Sequence, residues 1–142
     1  MAEDIFITAA ARTAMGSFQG ALRDLTAPEI GGAAIAAVVE QQGADKTLID
    51  EVIMGCVLPA GLGQAPARQA NFAGGIPESV PCTTVNKMCG SGMKAVMLGY
   101  DQIKAGGADI IIAGGMESMS NAPYLSANCL LYTSDAADDI RR

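Results

Sequence analysis

The sequence predicts an α/β fold: a mostly parallel sheet whose strands are joined by helical crossovers. Three observations predict it. Short β-type runs alternate with helical runs in the order β-α-β-α-β-α-β, the arrangement that lays successive strands side by side in one direction. The run Asp109-Ile110-Ile111-Ile112-Ala113 is almost unbroken in its apolar character, which suits a strand covered on both faces. Half of the 142 residues are hydrophobic but only 4% are aromatic, so aliphatic side chains, alanine and methionine must fill the core.

Residues 5–10 read as the first strand, ended by Arg12-Thr13 and a turn around Gly16. Thr26-Ala27-Pro28-Glu29 is a capping box, with a hydroxyl for an orphan N–H and a glutamate three residues on. Proline is tolerated in a first turn. The helix should run to about Gln42 with Ile30, Ala34 and Val38 on one face, and Gly43 is a natural stop. Asp45 is placed to cap a single turn through Ile49, and residues 51–57 form the second strand. Residues 66–73 read as a short helix ended by Gly74-Gly75, and residues 79–85 as the third strand. A helix follows over residues 93–103, and residues 109–113 are the fourth strand. No G-x-G-x-x-G follows the first strand, so the dinucleotide-binding fingerprint is missing.

Composition narrows the function. The formal charge is −6 and the nine basic residues are scattered, which disfavours nucleic acid as a partner. No uncharged apolar stretch is long enough for a membrane span, and none near the acidic start resembles a secretory signal. The four cysteines form no C-x-x-C, and with no histidine in the chain a zinc site is not expected. A cytoplasmic, reducing setting is expected.

The candidate nucleophile is Cys89, within Val85-Asn86-Lys87-Met88-Cys89-Gly90-Ser91-Gly92-Met93. It falls where a strand hands over to a helix. A helix start presents unpaired N–H groups and partial positive charge, which favour thiolate, the reactive form. Gly90 and Gly92 lack Cβ bulk, so a thioester can approach closely. The competing reading is a small buried hydrophobe, and no histidine of this chain can act as its base.

These residues, with Gly114-Gly115-Met116-Glu117-Ser118-Met119-Ser120, resemble the amino-terminal half of a thiolase, in particular the acetyl-CoA acetyltransferases. Ile7-Thr8-Ala9-Ala10-Ala11-Arg12-Thr13-Ala14-Met15-Gly16 and Gly63-Gln64-Ala65-Pro66-Ala67-Arg68-Gln69-Ala70 carry the same resemblance. It implies that Cys89 takes up an acyl group as a thioester. Two acetyl-CoA would be condensed to acetoacetyl-CoA, or a 3-ketoacyl-CoA cleaved with free CoA. The coenzyme A thioesters are substrates, and no separate cofactor is implied. A second cysteine, histidines and backbone amides in a carboxy-terminal half would act as base and oxyanion donors. The whole enzyme would be a homo-oligomer, dimer or tetramer, and Arg68 could face the neighbouring subunit. Within this chain Cys56 and Cys82 read as structural, and Glu117 and Asn121 as caps. For Lys87 and Lys94, tuning of the thiolate and simple solvation stay open. Met88, Met93, Met97 and Met116 fit core filling better than an acyl pocket.

Two features fit a partial domain. Met93, Ala95, Val96, Met97, Leu98, Tyr100 and Ile103 make the helix after Cys89 apolar nearly all round, so a second covering layer is expected. Residues 129–142 fit neither a strand nor an amphipathic helix. The expectation is a partial thiolase amino-terminal domain over residues 1–128, with the second half of the fold absent. A non-family tail, artefactual or disordered, would occupy residues 129–142. Such a chain should not complete turnover alone. The alternatives are an inert or merely associating fragment, or another condensing enzyme of the thiolase fold.

Overall fold

In the computed structural model, which describes residues 4–43 and 45–125, the capping box opens a helix where expected. Helix α1 spans Ala27–Gln42. The Thr26 hydroxyl accepts from the Glu29 N–H at 3.4 Å, and the Glu29 carboxylate accepts from the Thr26 N–H at 2.7 Å. Gly43 ends the helix in the left-handed region, with φ 61°. The buried stripe is Gly31, Ile35 and Val39, one residue away from the expected Ile30, Ala34 and Val38. Closeness of approach decides this. A Cβ on Gly31 would lie 2.8 Å from the Met116 sulfur, and one on Gly32 would lie 2.4 Å from the Ala73 Cβ. The helix turns its glycines inward.

Asp45 accepts from the Thr47 N–H at 2.9 Å and starts the short 3-10 turn Lys46–Leu48. Three parallel strands follow: β1 (Glu51–Gly55), β2 (Cys82–Val85) and β3 (Ile111–Gly115), in the order β2-β1-β3. The registers run from Val52 opposite Cys82 to Gly55 opposite Val85, and from Glu51 opposite Ile111 to Gly55 opposite Gly115. Helix α2 (Pro66–Ala73) joins β1 to β2, and helix α3 (Ser91–Lys104) joins β2 to β3. Val52, Met54 and Cys56 share one core with α1 and α2. On the other face, Gln102 of α3 donates to Glu51 at 2.8 Å, and Gly99 lies against Ile111. Alternation along β1 thus separates two helical layers.

The fourth expected strand is displaced by two residues. The Asp50 carboxylate accepts from the N–H groups of Asp109 and Ile110 at 2.7 and 2.9 Å, so the ladder of β3 begins only at Ile111. Those two hydrogen bonds hold the Asp50 carboxyl below its usual range.

The first expected strand does not form. Residues 5–10 make no ladder with the sheet. A cleft of about 350 Å³ separates Ile5, Phe6 and Ile7 from Ile110, Ile111 and Ile112 at the β3 edge. The run has strand-forming side chains, but pairing requires a neighbour within hydrogen-bonding distance. The proposed tail at 129–142 lies outside the described residues.

Helix α3 rests on the sheet through Ser91, Ala95 and Gly99, spaced four apart. Its other side is apolar and open, with Met93 73%, Met97 52% and Tyr100 50% exposed. Covering a large apolar side chain fully is worth about 1.5–3 kcal/mol. We therefore expect the polypeptide to self-associate, its sedimentation coefficient rising with concentration. The double replacement Met93→Lys, Met97→Lys should lower that rise, and a wild-type monomer at all concentrations would contradict this.

Candidate active site

Cys89 lies in a five-residue elbow between Val85, the last residue of β2, and Ser91, the first of α3, and its side chain is exposed. Short polar bonds shape the elbow. The Asn86 side-chain carbonyl accepts from the Met88 N–H at 3.0 Å, a local turn of the kind asparagine favours. Ser91 is 4% exposed. Its hydroxyl accepts from the Lys87 N–H at 2.9 Å and donates to the Met88 carbonyl at 2.6 Å. Met88 takes a left-handed conformation, φ 49°, strained for a residue with a side chain. Sequence reasoning starts the helix at Met93. The Ser91 bonds start it two residues earlier and bring its first turn next to the sulfur.

Glycines let this turn settle on the sheet. A Cβ on Gly55, at the end of β1, would lie 2.5 Å from the Ser91 carbonyl carbon and 2.6 Å from the Gly92 nitrogen. Real β-carbons do not come so close, so only glycine fits without moving the helix. A Cβ on Gly115 would lie 3.1 Å from the Gly92 Cα. Gly92 therefore faces the strands and not an incoming substrate, which corrects the expectation that both flanking glycines open the approach. Gly90 does lie on the open side, where an added Cβ would meet only the Lys87 carbonyl oxygen, at 3.5 Å.

The remaining candidates are sorted by their contacts. Glu117 follows β3, and its carboxylate accepts from the Val57 and Leu58 N–H groups at 2.9 and 3.0 Å, as a cap does. Asn121 likewise donates to the Arg23 and Leu25 carbonyls at 2.8 and 2.9 Å. Cys56 is buried, and its sulfur lies 3.7 Å from Glu117. Burial first, then the Glu117 charge, pushes its thiol up to about 11. Burial also raises the Cys82 thiol. Neither sulfur is suited to act as a nucleophile at neutral pH. Arg68 donates to the Val80 carbonyl at 2.8 Å and to the Glu78 carbonyl, and stacks over Phe72, so its guanidinium is engaged within the chain.

Met116 joins the core, whereas Met88, Met93 and Met97 are exposed, against the core-filling expectation for these three. Lys87 is exposed and Lys94 half-buried. Cys129 lies outside the described residues. Among the described residues no three His, Cys, Asp or Glu side chains group as a metal site, and no helix is long and apolar enough to cross a membrane. The positioning work of Asn86 and Ser91 escaped sequence reasoning. The available signals were an Asn two residues before Met88 and a Ser at a helix start.

Comparison with known proteins follows the same lines. The sequence profile of "Thiolase, N-terminal domain" matches residues 5–139. An acetyl-CoA acetyltransferase of Pseudomonas aeruginosa is 54% identical over 123 residues, covering 87% of this chain and 31% of its own length. Acetyl-CoA acetyltransferase 2 of Arabidopsis thaliana is 55% identical over 124 residues, again 87% of this chain and 31% of its own. A mitochondrial acetyl-CoA acetyltransferase of Mus musculus is 49% identical over 122 residues, 86% of this chain and 29% of its own. The chain spans a little under a third of the length of these relatives.

The raised Cys56 thiol gives stability a pH dependence. Between its ordinary 9.0 and about 11 an unfolded chain releases this proton while the folded chain keeps it. The contribution is intact below pH 9 and is lost as pH rises through the folded value. We expect the urea midpoint to fall across this window, and to fall less in Cys56→Ala. Equal falls in the two proteins would assign the dependence to other groups.

Proposed function

From the chain's place in the thiolase family, to which it belongs by its match to the amino-terminal domain, we propose that Cys89 is the acyl-carrying residue of an acetyl-CoA acetyltransferase. One observation carries this reading. Cys89 is exposed just before the first turn of α3, where glycine contacts hold that turn on the carboxyl ends of parallel strands. Crevices at such strand ends are where open α/β sheets bind ligands.

In the proposed first stage the Cys89 thiolate attacks the carbonyl carbon of acetyl-CoA. A tetrahedral oxyanion forms, the carbon–sulfur bond to CoA breaks, and CoA leaves with the electron pair. CoA takes up the proton that the cysteine had lost. One thioester replaces another, so the step is close to reversible, and the covalent intermediate divides the reaction into two transfers. In the second stage a base removes a proton from a second acetyl-CoA. The resulting carbanion attacks the acetyl group on Cys89, giving acetoacetyl-CoA and free thiolate. Run backwards, the sequence cleaves a 3-ketoacyl-CoA with CoA.

The base and further oxyanion donors are proposed to come from elsewhere in a whole enzyme; the 142 residues contain no histidine to act as that base. This chain on its own is proposed to reach the acetyl-thioester and stop. The whole enzyme is proposed to be a homo-oligomer, dimer or tetramer. The proposed compartment is the cytoplasm, whose reducing conditions suit the free thiols of Cys56, Cys82 and Cys89.

Incubating the 142-residue chain with acetyl-CoA should add one acetyl group to the peptide containing Cys89, read by mass spectrometry. Cys89→Ser should lose at least nine-tenths of that label, a drop of about tenfold or more for loss of the nucleophile. Equal labelling of Cys89→Ser would refute the role of this sulfur. Formation of acetoacetyl-CoA by the chain alone would refute the division of labour.

A further inference from the structure

The capping contacts of Glu117 and the turn at Asn86 meet on a single peptide group. The Glu117 carboxylate accepts from the Leu58 N–H at 3.0 Å. The carbonyl of that same peptide unit belongs to Val57, and it accepts from the Asn86 side-chain amide at 3.2 Å. The other end of the Asn86 amide accepts from the Met88 N–H at 3.0 Å. In a trans peptide N–H and C=O point in opposite directions, so Glu117 and Asn86 grip the Val57–Leu58 unit from its two sides. A carboxylate and two amide groups thus stand in line, ending on the strained residue that precedes Cys89.

The members of this line come from three strand ends. Glu117 follows β3, Val57 and Leu58 follow β1, and Asn86 follows β2. Hydrogen bonds in series polarise one another, and charge at one end strengthens each bond along the line. The Glu117 charge makes the Val57 carbonyl a better acceptor for Asn86. A better-held Asn86 keeps its own carbonyl on the Met88 N–H.

We propose that Glu117 and Asn86 act together as positioning residues for Cys89, holding Met88 in its left-handed conformation so that the sulfur stays at the first turn of α3. Neither touches the reacting atoms. The inference rests on the reading of Cys89 as nucleophile, and it deepens that reading by naming what sets the nucleophile's geometry.

The test uses the 142-residue chain and the variants Glu117→Gln, Asn86→Ser and their combination. Glutamine keeps the volume of Glu117 and one acceptor, but loses the charge. Serine can still accept from the Met88 N–H, but is too short to reach Val57. Two rates are measured at Cys89: acetylation as a function of acetyl-CoA concentration, and alkylation by iodoacetamide. Far-UV circular dichroism and the urea midpoint report unfolding; Cys56 alkylation is not used for this, because its sulfur lies 3.7 Å from Glu117 and responds to that charge directly. Each single variant should lower the maximal acetylation rate about tenfold or more, with half-saturation unchanged, and slow alkylation in parallel. The double variant should be no slower than the slower single, because either change breaks the same line.

Wild-type rates in Asn86→Ser would overturn the proposal, since a local turn would then suffice. Rate losses that multiply in the double variant would overturn it too. A variant whose circular dichroism or urea midpoint collapses has lost the fold instead of the line, and counts against a positioning role. The two readings fail separately. A wild-type chain that takes no acetyl group, yet shows the expected alkylation pattern, refutes the proposed function and leaves the positioning role standing. Acetylation that is normal in every variant does the reverse.

Discussion

The close approach of α3 to β1 is the constraint from which the site follows, and it depends on the missing side chain at Gly55. The helix start comes so near that even a methyl group on residue 55 would overlap the backbone of Ser91 and Gly92. Gly115 and Gly92 repeat the arrangement one strand away. Small residues continue along the contact as Ala95 and Gly99. A helix seated this low delivers its first turn, with its N–H groups and partial positive charge, to the carboxyl ends of the strands. A bulkier contact would lift the turn and carry Cys89 away from the sheet. The choice of glycine at a few positions is therefore a decision about where a sulfur atom stands.

Polar groups finish what the glycines begin. The chain is acidic overall, but many of its carboxylates are occupied within the structure. Glu29 caps α1, Asp45 opens the 3-10 turn and Asp50 binds the N–H groups before β3. Glu51 accepts from Gln102 and Thr83, and Glu117 holds the loop after β1. Each satisfies donors that would otherwise lack partners or compete with regular structure. By contrast the ion pair Arg23–Asp24 is exposed, 3.6 Å long and between sequence neighbours, a kind that contributes little. Four of the fifteen acidic residues, Glu29, Asp45, Asp50 and Glu117, thus bind backbone N–H groups.

What the sequence made legible was local. The capping box at Thr26, the stop at Gly43 and the helix from Pro66 to Ala73 depend on residues a few positions apart, and they appear where expected. The strand-to-helix handover at Cys89 was legible for the same reason. The first strand was not, because its pairing depends on a neighbour distant in sequence, and residues 5–10 are separated by a cleft from the edge they would have to join. The inward face of α1 differs from the expected one because its closest contacts are made by glycines and not by its alanines or its larger apolar residues. Gly31 and Gly32 admit Met116 and Ala73 closer than any apolar side chain could. The start of β3 moved because an aspartate 59 residues away in sequence took its N–H groups. The line from Glu117 to Met88 joins residues 117, 57–58, 86 and 88, and no periodicity announces such a set.

Packing and chemistry ask the same thing of this domain. Helix α3 has two apolar faces of different character. The thin one lies against the sheet, and the other presents Met93, Met97 and Tyr100 outward. Thin faces let backbones approach; bulky ones gain when another layer removes them from water. The role proposed for Cys89 carries a parallel requirement. Attack on a thioester builds negative charge on an oxygen, and fixed donors stabilise such charge far better where water is excluded. A surface that covered Met93 and Met97 would also approach the elbow, since Met93 stands in the first turn of α3, directly after it. The exposed methionines and the exposed Cys89 are therefore two aspects of one geometry: the start of α3 is packed on the side of the sheet and open on the other.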